Sequence, residues 1–120
     1  MDSPGGDLAW LQPDENAVMA VNAACSGHGD PPLQILMNDL LIGTTDRRVL
    51  MGETVTLDGR DALHQVVSVR VDGVPVIYDL YVMKKDGCVY DLTLVTPPRA
   101  YDRASAQFGT LVAGFRGGYQ

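Results

Sequence analysis

The sequence predicts an α+β domain, an antiparallel β-sheet meander flanked by two helices in the order β-β-α-β-β-β-β-α. Three observations predict it. Asp58-Gly59, Asp72-Gly73 and Asp86-Gly87 recur at intervals of 14 residues, and Asp-Gly suits a hairpin turn because both residues tolerate positive φ. The segments between them are rich in Val, Ile, Leu and Tyr, which fit a pleated, half-buried surface. Two further stretches repeat apolar residues at helical spacing.

Taken in order, residues 1–7 are Gly/Pro-rich and acidic and are expected to form a disordered lead-in. Leu8–Gln12 reads as a short strand, and Pro13-Asp14-Glu15-Asn16 as a turn. Ala17–Ala24 is almost wholly apolar, as expected of a strand buried on both faces. Cys25–Asp30 is a Gly/Ser loop. Asp30 is placed to cap a helix that opens on Pro31. Leu33, Leu36, Met37, Leu40 and Leu41 form its apolar stripe, and Gly43 ends it by adopting a left-handed conformation. The basic pair Arg47-Arg48 is expected to meet that helix's C-terminal carbonyls.

Glu53–Leu57 begins the meander, whose last strand stops at Pro97-Pro98. Asp102 is expected to cap a closing helix with Ala104, Phe108, Leu111, Val112 and Phe115 on one face. Residues 117–120 are expected to fray. Residues 8–116 are thus read as one domain, which suits a chain of 120 residues.

Composition excludes several classes of function. There are 15 acidic against 9 basic residues, a net charge of −6, and no Lys/Arg cluster is longer than two. A nucleic-acid binder or a protein of anionic membrane surfaces needs a basic face, so neither is expected. No apolar run approaches about 18 residues, so no transmembrane segment is expected. The N-terminus has neither the basic start nor the apolar stretch of a signal peptide. Ala23-Ala24-Cys25 looks like the end of a lipoprotein cleavage site. Asn22, however, stands where an aliphatic residue belongs, so Cys25 is read as the end of a strand.

The second half resembles the PsbP-like superfamily, and more narrowly the small bacterial lipoprotein-type domains of that fold. Val55-Thr56-Leu57-Asp58-Gly59-Arg60, two long strands, Gly87-Cys88-Val89-Tyr90-Asp91 and the closing helix with Phe108, Leu111 and Phe115 carry the resemblance, which covers roughly residues 8–116. It implies an antiparallel sheet sandwiched by helices, an envelope or periplasmic location, and an accessory or partner-binding role. It carries over no catalytic residue.

Two cysteines are present. Cys25 ends one strand and Cys88 begins the last. If those strands are antiparallel neighbours, the ends meet and a disulfide is possible; otherwise both remain reduced, half-buried thiols. The envelope resemblance favours the bond. Cys25, His28 and Asp30 fall short of a zinc site, which wants three or four N/S ligands. The Asp-Gly turns are too widely spaced for a calcium loop. Neither metal nor cofactor is expected. Phosphate loops, dinucleotide fingerprints and nucleophile elbows are absent from the sequence, and Ser26 and Ser105 have no His or Asp placed to activate them.

Register yields the sharpest expectation. A two-residue turn at Asp72-Gly73 sets Val69 opposite Val76, Val67 opposite Tyr78 and His64 opposite Tyr81. For the next hairpin, a three-residue turn, Lys85-Asp86-Gly87, keeps one face apolar by placing Tyr90 opposite Val82 and Leu92 opposite Leu80. Val67, Val69, Val76, Leu80, Leu92 and Leu94 would then pack against Leu33, Leu36, Leu40, Phe108, Leu111 and Phe115. The opposite face would gather His64, Asp79, Tyr81 and Asp91 into a polar patch, with Tyr81 between His64 and Asp91. A His beside a carboxylate and a phenol suits ligand binding or acid–base work. Alternatively, the patch is a solvated sheet face with cross-strand pairs.

The leading functional expectation is a non-catalytic binding or accessory domain with an unspecified protein or small-molecule partner. The alternatives are a small enzyme using the His64/Tyr81/Asp91 face and a structural homodimerising module. The chain is expected to be a monomer or a homodimer.

Overall fold

In the computed structural model, residues 8–12, 17–25 and 31–116 are described. The disordered lead-in, the turn at 13–16, the Asp30 cap, the ligand candidate His28 and the frayed end all lie outside them. The elements are β1 (Leu8–Gln12), β2 (Ala17–Ala24), α1 (Leu33–Asp39), β3 (Thr45–Leu57), β4 (Arg60–Val71), β5 (Val74–Lys85), β6 (Cys88–Thr96) and α2 (Tyr101–Ala113). A short 3₁₀ turn, Pro98–Ala100, leads into α2.

The fold is α+β. Six antiparallel strands form one sheet in the order β1-β2-β6-β5-β4-β3. Three tight hairpins build β3 to β6 as a meander. β2 then pairs with β6, so the chain must pass from β2 to the far edge at β3, and α1 carries it across one face. The α1 stripe covers that face: Met37 and Leu41 pack with Val67, Val69, Leu80, Val82 and Val89. α2 covers the other, where Ala104 and Phe108 pack with Ala62, Met83, Tyr90, Leu92 and Leu94. Gly43 does not end the helix: α1 stops at Asp39 with Leu40 as a right-handed cap (φ −66°, ψ −18°), and Gly43 (φ +93°) instead closes the turn after it, ahead of β3, in a conformation that a side chain would strain.

Four other expectations need correction. First, the β5–β6 hairpin turns on two residues. Asp86 and Gly87 have φ +54° and +80°, the signature of a two-residue turn with both central residues left-handed. Lys85 pairs with Cys88, Met83 with Tyr90 and Tyr81 with Leu92. Leu92 and Leu94 therefore lie on the α2 face, away from Leu80 and Val82. The three-residue turn requires a single buried face, whereas this sheet is covered on both. An apolar pattern then fits either register, and the turn chemistry decides.

Second, α1 begins at Leu33, with Pro32 (φ −59°, ψ 153°) as its extended cap. The residue before a proline is held out of the helical region, so two consecutive prolines delay the start. Third, Ala100 occupies the cap of α2, because the 3₁₀ turn starts the winding early; Asp102 lies inside the first turn, where its charge complements the helix dipole. Fourth, β3 starts at Thr45, well before Glu53, and carries register shifts between Thr45 and Arg48 and between Val49 and Met51. Of the basic pair, Arg47 meets the end of α1, its Nη2 donating to the Leu41 carbonyl at 2.7 Å. Both arginines belong to β3, and among the described residues Arg48 makes no such bond to the end of α1.

Candidate functional site

The two-residue turns at Asp58-Gly59 and Asp72-Gly73 place Glu53 opposite His64 and His64 opposite Tyr81. Asp79 pairs with Val66, one diagonal step from His64 and within reach of a long side chain. The imidazole Nε2 donates to Asp79 Oδ1 at 2.7 Å, and Nδ1 faces Glu53 Oε2 at 3.6 Å. The ring also stacks on Tyr81, with centroids 3.9 Å apart and planes within 7°. Tyr81 in turn meets Phe108 of α2, centroid to centroid 5.9 Å. Tyr101, at the start of α2, hydrogen-bonds to Asp79. The Asp79 carboxylate thus accepts from both an imidazole and a phenol.

This cluster is interior. His64 is 7% exposed and Asp79 5%, both beneath α2. Burial, then the charges of Asp79, Glu53 and Tyr101, push the Tyr81 phenol up to about 12. Burial, the nearby Asp79 and Asp102 charges and the hydrogen bond to Asp79 also raise Tyr101, partly offset by a hydrogen bond with Ser105. A carboxylate–imidazole pair is the raw material of acid–base chemistry, but here the imidazole is buried and its Nε2 is engaged by buried Asp79, while Nδ1 faces the exposed carboxylate of Glu53.

Asp91 does not join the cluster. The two-residue turn sets Tyr81 opposite Leu92, and side chains alternate along a strand, so Asp91 projects to the α1 face. There it accepts from Asn22 Nδ2 at 3.4 Å and from Thr93 Oγ1 at 3.4 Å. His64, Asp79 and Tyr81 are brought together, and Asp91 lies on the other side of the sheet. Glu53 was legible in sequence, since the Asp58-Gly59 turn sets it opposite His64. Tyr101 left no such signal, because helix docking places it.

The β2–β6 pairing runs Ala24 opposite Val89, which brings Cys25 to Cys88 at the end of the seam. Their sulfurs are bonded, with Cα atoms 3.9 Å apart across a sequence separation of 63. Among the described residues, no group of three or more His, Cys, Asp or Glu could hold a metal ion, and no helix is long and apolar enough to cross a membrane.

The half-buried Tyr81 phenol makes stability depend on alkaline pH. Tyr81 is raised from 10.0 to about 12, so between those values the unfolded chain has released a proton that the folded chain keeps. Stability is therefore complete below pH 10 and falls as pH rises through 12. Ultraviolet titration should show a phenol ionising about two units late in the wild type and missing in Tyr81→Phe. Ordinary titration of every tyrosine in the wild type would contradict this burial.

No protein-family model and no curated protein sequence matches the chain. Solved structures do. The crystal structure of PA94, a protein of unknown function from Pseudomonas aeruginosa, superposes with a TM-score of 0.75 at 12% identity, over 95% of this chain and 83% of that one. The solution structure of the cyanobacterial PsbP (CyanoP) of Synechocystis sp. PCC 6803 gives 0.62 at 18% identity, over 94% and 76%. LpqN, involved in cell envelope biogenesis of Mycobacterium tuberculosis, gives 0.64 at 15% identity, over 94% and 70%. At these identities the likeness is one of fold, and the fold is PsbP-like.

Proposed function

We propose that this chain is a non-catalytic binding domain of the bacterial envelope, acting through the β3 edge of its sheet. One observation carries the reading: the groups able to do chemistry face inward, while a run of large apolar side chains faces outward. His64, Asp79 and Tyr81 serve as an internal network that ties α2 and β3 to the sheet. Asp91 and Asn22 are a cross-strand pair on the other face. Val49, Leu50 and Met51 follow one another on β3 and are 58%, 52% and 37% exposed.

β3 is an edge, so its outer backbone N–H and C=O groups have no strand partner among the described residues. An edge with apolar side chains is a template for another strand. The Cys25–Cys88 bond suits an oxidising compartment, and the envelope role of LpqN points the same way.

The test is a photo-crosslinking residue placed at position 50 in the native bacterium, with a second at exposed Gln107 on α2 as control. A protein adduct from position 50 and none from 107 is the expected result. No adduct at position 50, or equal labelling at both, overturns the reading.

A further inference from the structure

The geometry points to a second copy of this chain as the occupant of the β3 edge, paired antiparallel about a two-fold axis between Leu50 and Met51. The inference rests on the edge-binding reading above and names its partner. In this register Arg48 faces Glu53 of the second copy, Val49 faces Gly52 and Leu50 faces Met51, each pair occurring twice by symmetry.

Three features specify it. The first is the bulge. Val49 pairs with Val67 and Met51 with Val66, so Leu50 is an extra residue in β3. Arg48 and Glu53, five residues apart, would lie on opposite faces of a regular strand. With Leu50 inserted, Arg48 pairs with Ser68 and Glu53 with His64, four residues apart on β4 and hence on one face. Antiparallel pairing of two edges keeps each face continuous, so the two charges can meet across the seam.

The second feature is charge. Both residues are exposed, and Arg48 has no ion pair among the described residues. Opposite charges directly across two strands are favourable, and like charges are not. The symmetric register makes two Arg–Glu pairs and no like-charge pair. A slip of two residues one way sets Asp46 against Glu53; the same slip the other way leaves both charges facing neutral residues.

The third is the apolar centre. Val49, Leu50 and Met51 sit between the two charge pairs, and Gly52 leaves room for the opposing Val49. Bulges and charges ordinarily keep a sheet edge single. Here they are arranged symmetrically, so they admit one register and reject others.

The experiment is sedimentation of the purified full chain over a concentration series. Wild type should reach a dimer. R48E and E53R, which set like charges across both ends of the seam, should each weaken self-association by on the order of 10-fold or more. An equimolar mixture of the two restores opposite charges at both ends and should form a heterodimer. L50K should be monomeric. Circular dichroism checks folding of each variant; should E53R fail to fold, since Glu53 also lies 3.6 Å from His64, R48E and L50K decide. A wild type that stays monomeric, an R48E that dimerises like wild type, or two folded variants that do not pair when mixed overturns the assignment. A monomeric wild type with position-50 adducts to a different protein refutes self-pairing and leaves the edge reading intact. A monomer with no adduct refutes both.

Discussion

Phe108→Ala lowers the unfolding free energy by about 3–5 kcal/mol, the usual range for emptying a fully buried aromatic site. Phe108 is 1% exposed and is among the largest fully buried side chains among the described residues. It projects from α2 into the cluster formed by Ala62, Met83, Leu92 and Leu94, and its ring also meets Tyr81. This packing is the apolar part of the attachment of α2, beside the polar contact of Tyr101 with Asp79. With total stabilities of about 5–15 kcal/mol, the loss takes much of the margin. Denaturant titration should show a lower midpoint at an unchanged slope. Leu111→Ala, on a half-buried position of the same face, should cost less. A Phe108→Ala midpoint no lower than that of exposed Thr110→Ala would contradict the packing described.

The second large effect belongs to the disulfide. Replacing Cys25 and Cys88 together by Ser should remove about 4 kcal/mol, because the bond closes a long loop and restricts the unfolded chain. The sequence separation is 63. The bond also fastens the end of the β2–β6 seam, and β6 is the strand that joins β1 and β2 to the meander. Wild type and variant should differ under oxidising conditions and converge in reductant. Thiol titration of oxidatively prepared, denatured protein should find no free thiol. Two free thiols, or equal stability under oxidising conditions, would refute the bond.

At the β5–β6 hairpin, burial and turn chemistry point to different registers. A sheet apolar on one face and polar on the other would favour a three-residue turn. Both faces of β6 carry apolar residues, Tyr90, Leu92 and Leu94 toward α2 and Val89 toward α1. Alternation therefore carries no register information there, while Asp86-Gly87 with both φ positive does. The same slip moved Asp91 across the sheet and separated it from His64. Local turn chemistry is the stronger signal, and it acts at Asp86-Gly87 as it does at Asp72-Gly73.

What the sequence determined by itself were the features set by short-range chemistry. The Asp-Gly pairs dictate tight hairpins, and hence antiparallel strands and the pairing of His64 with Tyr81. The helical spacing of Leu33, Leu36 and Met37 and of Ala104, Phe108 and Leu111 dictates two one-sided helices, while Leu40 and Leu41 of the same apolar pattern fall at and just past the cap of α1. Tertiary structure alone decided which helix covers which face, because both faces of the sheet are apolar enough to accept either. It also decided that His64 and Asp79 lie under α2 with Tyr101 hydrogen-bonded to Asp79, since the docking of a helix depends on the shape of the whole sheet. That docking turns a set of polar residues from an open patch into an interior network.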